Sequence, residues 1–359
     1  MMAAAHMNLL LLPGDGIGPE IMAVTREVLA RADQRFRLGL RFETHEVGLA
    51  ALAKSGNTLP DAVIEACRKA DGFVLGPVGH HDYPPRDKGG RNPSGDLRIA
   101  LDLYANIRPS RSYAGLPHYG RTPMDLVIAR ENTEGFYADR NMHLGSGEFM
   151  PTPDLALSVR KISAQASRRI AEVAFRLAKQ RRRKVTAVHK ANVLKLGEGL
   201  FLREVRAVAK RSPEVAYDEQ LVDSMAAMLV RDAARYDVLV TTNMYGDILS
   251  DEAAELSGSL GLAASINAGD AHCMAQAQHG SAPDIAGRDL ANPASLVLSA
   301  AMLLGWLGER HGRSGFAEAQ TALEDAVAGL IASSAMRTKD LGGALGTKAF
   351  GVALLERLG

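Results

Sequence analysis

Short apolar runs recur along the chain, each feeding a polar cluster, with helix-period stretches between them. Asn8 to Leu12 leads into Pro13-Gly14-Asp15-Gly16-Ile17-Gly18-Pro19-Glu20, and Gly72 to Leu75 into Gly76-Pro77-Val78-Gly79. Leu126 to Ala129 leads into Arg130-Glu131-Asn132, and Val185 to Val188 into His189-Lys190-Ala191-Asn192. Val238 to Thr242 leads into Asn243-Met244-Tyr245-Gly246-Asp247-Ile248-Leu249-Ser250-Asp251-Glu252, which reads as a polar turn and a helix start. Apolar runs alternating with helical periods predict an α/β protein with a largely parallel sheet. Ligands of such folds gather at the carboxyl ends of the strands, where these polar clusters fall. Pro19 suits the first turn of a helix through Ile21, Val24, Val28 and Leu29. Another helix is expected to open at Asn92-Pro93-Ser94-Gly95-Asp96-Leu97-Arg98 and to carry Leu97, Leu101 and Tyr104.

Composition narrows the function classes. At 359 residues the chain is long enough for two lobes, although no repeat or low-complexity linker marks a boundary. A net charge of +1 gives no electrostatic case for nucleic acid or an anionic membrane as partner. The basic run Arg181-Arg182-Arg183-Lys184 follows a helical pattern (Ile170, Val173, Ala174, Leu177) and reads as a helix C-terminus complementing the dipole. Cys67 and Cys273 lie far apart and form no metal-type pair, which suits a reducing cytosol. No apolar run reaches membrane-spanning length, and Met1 to Met7 lacks the charged and apolar regions of a signal peptide. A cytoplasmic protein is expected.

The candidate chemistry lies in the polar clusters. Asp247 and Asp251 stand four apart and share one helix face. Alone they read as surface acids; with a cation between them they are a site for a hard divalent ion. Arg98, Arg108 (in Asn106-Ile107-Arg108-Pro109) and Arg130 each stand beside a turn or strand end. Guanidinium forks there could hold a di- or tricarboxylic acid. Arg160, Arg168 and Arg169 read as surface residues. Tyr137 and Lys190, both near strand ends, could relay a proton if they meet. His80-His81-Asp82 reads as a solvent-facing loop, and His189 as structural. The glycines of Gly14 to Gly18 fall as GxGxG with proline after them, so the dinucleotide fingerprint is rejected. His279-Gly280-Ser281-Ala282-Pro283-Asp284-Ile285-Ala286-Gly287 reads only as a loop that backbone or ribose could approach closely.

Taken together these stretches resemble the decarboxylating β-hydroxyacid dehydrogenases, the family of isocitrate, isopropylmalate, homoisocitrate and tartrate dehydrogenases. The likeness runs nearly end to end, from GDGIGPE at Gly14–Glu20 through NIRP, AREN, TEGFY, HKAN, VDSMA and NMYGDILSD to HGSAPDIAG and Asn292-Pro293. The resemblance implies the α/β fold of isocitrate/isopropylmalate dehydrogenases: two α/β lobes with a non-Rossmann NAD site. It implies a larger, cofactor-binding lobe of residues 1–103 and 258–359. A smaller lobe of 104–257 would carry the dimer interface and the metal and catalytic residues. Arg98, Arg108 and Arg130 match the substrate clamps, with Asn92, Ser94 and Asn192 beside the substrate. Tyr137 and Lys190 match the proton-transfer pair, and Asp223, Asp247 and Asp251 the carboxylates of a Mg²⁺ or Mn²⁺ ion. Lys190 and Asp223 would come from the partner subunit, so a homodimer with shared sites is implied. Ile17, His279, Gly280, Ser281, Ala282, Pro283, Asp284, Ile285 and Asn292 match the cofactor site. Asp284-Ile285 resembles the NAD-dependent members, because a carboxylate there repels a 2′-phosphate.

The implied reaction is metal-dependent oxidative decarboxylation of a 2-hydroxy acid: Lys190 with Asp223 removes a proton, and Tyr137 protonates C3. Asn92 to Asp96 is polar throughout, where isopropylmalate dehydrogenases carry leucines, so a polar 3-substituted malate, or malate or tartrate itself, is expected. Isocitrate enzymes carry Ser then Asn two places later, whereas this chain has Asn92 then Ser94, and Gln276 stands where the family often has Glu. The alternatives are an isopropylmalate dehydrogenase, a non-catalytic regulatory subunit and an NAD-binding sensor. The last two do not require the clamps and metal acids, all of which are present.

Overall fold

In the computed structural model the apolar runs become strands with buried interiors, and most of the polar clusters become turns or helix starts. Residues 6–359 are described, so most of the Met1–Met7 stretch read for a signal peptide lies outside them. The strands are β1 (Met7–Leu12), β2 (Leu40–Thr44), β3 (Gly72–Leu75), β4 (Ala105–Arg111), β5 (Asp125–Glu131), β6 (Glu148–Thr152), β7 (Leu155–Ser158), β8 (Lys184–His189), β9 (Ala216–Leu221), β10 (Val238–Thr241), β11 (Ile266–Ala268) and β12 (Cys273–Gln276). The α-helices are α1 (Gly18–Phe36), α2 (Leu49–Ser55), α3 (Asp61–Lys69), α4 (Pro93–Ala100), α5 (Ala164–Lys179), α6 (Gly197–Lys210), α7 (Val222–Asp232), α8 (Asn243–Ser257), α9 (Ala294–His311), α10 (Ser314–Ile331) and α11 (Thr347–Leu358). Among the described residues, no helix is long and apolar enough to cross a membrane.

The chain divides into two units: Met1–Leu101 with Tyr113–Pro117 and Gly258–Gly359, and Asp102–Ser112 with His118–Ser257. In the first, the strand order is β2-β1-β3-β12-β11. All of these pairs are parallel except β11 with β12. Ile21, Val24, Val28 and Leu29 are buried along α1, which starts one residue before Pro19 as its fixed φ favours. In the second unit the order is β4-β5-β10-β8-β9, antiparallel only between β4 and β5. Its core gathers Leu126, Ile128, Val188 and Leu239 from the strands with Met225 and Leu229 of α7 and Leu249 of α8. Parallel strands buried on both faces are what continuous apolar runs encode.

Two local readings change. The helix at Asn92 stops at Ala100, and Asp102 takes the left-handed conformation (φ 47°), so Tyr104 lies outside it. The basic run after α5 serves the sheet more than the helix dipole. Arg181 donates to Asp237 and Asp125, both at 2.8 Å, and Asp237 is only 1% exposed. Cys67 and Cys273 are free and buried, and burial pushes the Cys67 thiol up to about 12.

Candidate active site

In the second unit, strand pairing decides which side chains meet. Asn106 of β4 lies opposite Arg130 of β5, and Arg108 is two residues from Asn106, so all three project from one face. Helix α8 meets these side chains with a polar stripe at i, i+3, i+4, i+7 and i+8: Asn243, Gly246, Asp247, Ser250 and Asp251. Its opposite side sends Leu249 and Ala253 into the core. Gly246 is required where it stands. A Cβ there would lie 2.6 Å from Cγ of Arg130.

That stripe and its neighbours engage both arginines. Arg130, 1% exposed, donates from Nε (3.0 Å) and Nη2 (2.7 Å) to Oδ1 of Asn243, and from Nη1 to Oδ1 of Asp247. Arg108 donates from Nε to Oδ1 of Asn106 and from Nη1 to Oγ of Ser250, both at 2.6 Å. The same Nη1 lies 3.2 Å from Asp247 and 3.4 Å from Asp251. Tyr137 closes the group: its hydroxyl donates to Oδ2 of Asp247 (2.7 Å) and accepts from Nη2 of Arg130 (2.9 Å).

The electrostatics of this cluster oppose one another. Burial, and then the charge of Arg130, pull the Arg108 guanidinium down to about 10 against the pull of Asp247 and Asp251. Burial holds the Asp251 carboxyl above the usual aspartate range; Arg108 opposes that shift and Asp247 adds to it. Two cations and two anions balance in number, but each like pair is crowded. An incoming cation at the acids and an incoming carboxylate at the arginines both relieve that crowding. Asp247 and Asp251, on successive turns with their side chains 40% and 54% exposed, offer the hard oxygen donors that fit Mg²⁺ or Mn²⁺.

Asp223 is not part of this cluster. Among the described residues no three acids, histidines or cysteines converge as a metal-holding group. Asp223, at the start of α7, accepts a 2.5 Å bond from Nζ of Lys190 in the same chain, and that bond holds its carboxyl below the usual range. Asn192 is exposed on the turn after β8, and His189 Nδ1 accepts from the Ala191 amide at 3.0 Å, a structural role.

Behind Lys190 lies a pair that the sequence hides. Glu198 is completely buried; its Oε2 accepts from the Lys190 amide (3.1 Å), and its other oxygen accepts from Arg160. Arg160 also donates to Thr242 Oγ1 at 2.9 Å and stacks 5.1 Å from the Tyr245 ring. The surface reading holds for Arg168 and Arg169 only in part, since both form ion pairs, and it fails for Arg160. Arg160→Met is expected to cost about 3–5 kcal/mol by stranding a buried carboxylate, and Arg160→Met with Glu198→Leu to recover most of it. Denaturant midpoints of the three proteins check this.

In the first unit, Asn92 caps α4 by accepting from the Gly95 amide (3.2 Å). Ser94 and Arg98, one turn apart on α4, both donate to Oε1 of Gln276, at 3.0 and 3.1 Å. The glycine-rich turn after β1 is joined to the 279–287 loop, because the Ile17 amide donates to the Ser281 carbonyl at 2.9 Å. Gly16 adopts φ +57°, and a Cβ there would sit 2.0 Å from that carbonyl oxygen. Asp15 is a brace: it accepts from the amides of Leu49 (2.7 Å) and Gly79 (2.9 Å) and from the Tyr83 hydroxyl. His279 is half-buried with its pKa lowered by burial, Pro283–Ile285 form a 3₁₀ turn, and Asp284 is exposed on it. Asn292 is turned inward, with Nδ2 on Asp340 (3.0 Å) and Oδ1 accepting from the Ala294 amide (3.0 Å). His80 and His81 are exposed.

Comparison with known proteins agrees with this geometry. The family described as isocitrate/isopropylmalate dehydrogenase matches residues 8–354. The isocitrate/homoisocitrate dehydrogenase of Thermus thermophilus is 42% identical over 97% of both chains. The 3-isopropylmalate dehydrogenase of Saccharolobus solfataricus is 40% identical over 93% of this chain and 94% of its own. The crystal structure of isocitrate dehydrogenase from Methylococcus capsulatus superposes with a TM-score of 0.86 at 38% identity, covering 98% of this chain and 99% of that one. The chain therefore belongs to the isocitrate/isopropylmalate dehydrogenase family and is an oxidoreductase of the class that acts on CH–OH groups with decarboxylation.

Proposed function

We propose that the protein couples NAD reduction to the oxidative decarboxylation of a malate bearing a polar group on C3, such as isocitrate or homoisocitrate, or of D-malate or tartrate. The observation that carries this reading is the cluster of Arg108, Arg130, Tyr137, Asp247 and Asp251, which sets carboxylate-binding forks beside oxygen donors for a cation and a phenol. Asp247 and Asp251, with Asp223 from a second copy, would hold a divalent ion, which would supply charge stabilisation at the substrate's C2 oxygen. Arg98, Arg108 and Arg130 hold the substrate carboxylates, and Asn192 lies beside the substrate. The Lys190–Asp223 pair would take up the C2 hydroxyl proton, and a bound nicotinamide would accept the hydride from C2. Tyr137, hydrogen-bonded to Arg130 and Asp247, then delivers a proton to C3 after carbon dioxide has left. Ile17, His279 to Ile285 and Asn292 form the cofactor site, where the exposed Asp284 carboxylate favours NAD over a 2′-phosphorylated dinucleotide.

The homodimer belongs to the same reading. Among the described residues β6 and β7 pair only with each other, and Phe149, Met150, Leu155 and Leu157 on them are 44–62% exposed. A lone two-stranded hairpin is marginal in water, and a second copy covering it supplies the missing burial. Buried, unpaired cysteines fit the expected cytoplasmic location.

Polarity around α4 supports the choice of substrate. Arg91 bonds Asp96 (2.8 Å) and Asp61 (2.7 Å), and Asn92, its oxygen spent on the cap, keeps its amide nitrogen as a donor to a C3 substituent. The second reading, 3-isopropylmalate, is favoured by the 40% identity to an enzyme of that name. The test is NAD reduction with Mg²⁺ across isocitrate, homoisocitrate, D-malate, tartrate and 3-isopropylmalate. One of the polar acids is expected to exceed isopropylmalate in kcat/KM by about 10²-fold or more. Isopropylmalate as the best substrate would overturn the polar reading in favour of the second one.

A further inference from the structure

Tyr137 sits in a segment that is fastened on both sides. Glu131, at the end of β5, accepts from the amides of Thr133 (2.7 Å) and Glu134 (2.9 Å), and Gly135 bridges to Lys161. After the tyrosine, Ala138–Arg140 form one 3₁₀ turn, and the Arg140 amide donates to the Tyr137 carbonyl at 3.0 Å. The Arg140 side chain then turns back. It is 5% exposed, and its Nη1 donates to the Asn132 carbonyl, eight residues away, at 3.1 Å. That bond closes the segment into a loop, and the guanidinium lies over the Tyr137 ring, 4.9 Å from its centre. Arg130 lies 5.6 Å from the same centre and also bonds the hydroxyl. Asp139 stands 3.5 Å from Arg140 Nε, but its half-exposed carboxylate is screened by water.

We propose that Arg140 is a positioning residue for proton delivery at C3, holding the Tyr137 ring and offsetting the negative charge that its oxygen gains. The inference rests on the reading of Tyr137 as the acid that protonates C3. In that step the phenol O–H bond breaks and a C3–H bond forms. The enolate left by carbon dioxide becomes the ketone of the product, and its negative charge passes to the phenol oxygen. Water restores the phenol before the next turnover. Asp247 accepts from that hydroxyl at 2.7 Å, and its carboxylate opposes the new charge. Arg140, withdrawn from water, acts in the other direction. The attraction between a guanidinium and an aromatic face is larger where water is excluded, and it grows when the ring becomes anionic. An arginine keeps its charge throughout, and its fork can bond Asn132 while it covers the ring.

Exchange of the C3 protons of the 2-keto acid product with solvent is the reverse of this step and isolates it from hydride transfer. It is followed by NMR in D₂O free of carbon dioxide, with Mg²⁺ and NADH, on the product of the best acid of the panel above. Arg140→Gln, neutral but able to bond the Asn132 carbonyl, is expected to slow exchange about tenfold or more. Arg140→Lys keeps the cation and is expected to stay within about threefold of the wild type. In the forward direction Arg140→Gln is expected to lower kcat, with kcat/KM for the hydroxy acid changed less than about threefold. Loss of carbon dioxide has by then committed the substrate. A purely structural role would lower kcat and kcat/KM together, through the active fraction. If Arg140→Gln fails to fold, Arg140→Met decides by the same comparison. Wild-type exchange in the folded neutral variant, or an equal loss in Arg140→Lys, overturns the inference alone. No exchange in the wild type, or undiminished exchange in Tyr137→Phe, overturns the reading of Tyr137 as the acid, and this inference with it.

Discussion

Asp247→Asn is expected to lower kcat by about 10³-fold or more and to weaken the dependence of rate on Mg²⁺. Asp247 is the residue on which the cluster converges: Arg130 and Tyr137 bond it directly, and Arg108 lies 3.2 Å away. Asparagine keeps an acceptor for the phenol and the guanidinium, so the fold is retained. What it removes is the charge that offsets two buried arginines and that attracts a dication. Activity measured against Mg²⁺ concentration separates the two effects, because lost affinity is recovered at high metal and lost charge stabilisation is not. A rate close to wild type at ordinary Mg²⁺ would remove Asp247 from the metal site.

Lys190→Ala is expected to lower turnover about 10²–10⁴-fold with no measurable change in stability. Lys190 and Asp223 form an exposed pair, so the pair adds nothing to stability that the melting curve would register. The variant also tests whether the sites are shared. If Lys190 serves the partner's Asp247, a mixed dimer of Lys190→Ala and Asp247→Asn subunits has one intact site. Equal mixing, unfolding and refolding then gives about one quarter of wild-type activity from two inactive proteins, since half the dimers are mixed and each has one of two sites working. A mixture that stays as inactive as its parents contradicts the shared site.

The sequence carried local information well and long-range partnerships poorly. The runs at Gly72, Leu126, Val185 and Val238 are strands because continuous burial on both faces leaves an unbroken apolar record. Asp247 and Asp251 were legible as one helical face, and the same period would have found Asn243 and Ser250, which complete the stripe holding the arginines. The helix at Asn92 was read past its end, because nothing in Leu101 and Tyr104 announces the left-handed turn at Asp102. Arg160 looked like any surface arginine, since its partner Glu198 lies 38 residues away in a polar-looking stretch. Gln276 was visible as an unusual residue, but its contact with Ser94 spans 182 positions. Only the folded sheet brings those positions together.

The proposed reaction is oxidation with loss of carbon dioxide, carried by metal-bound acids and arginine clamps. It is tested most directly by measuring NADH and carbon dioxide together, with Mg²⁺ and with a chelator, on the best acid of the panel. One carbon dioxide per NADH, with both abolished by the chelator and restored by Mg²⁺ or Mn²⁺, is the predicted result. NADH formed without carbon dioxide, or formed at full rate in the chelator, would contradict it.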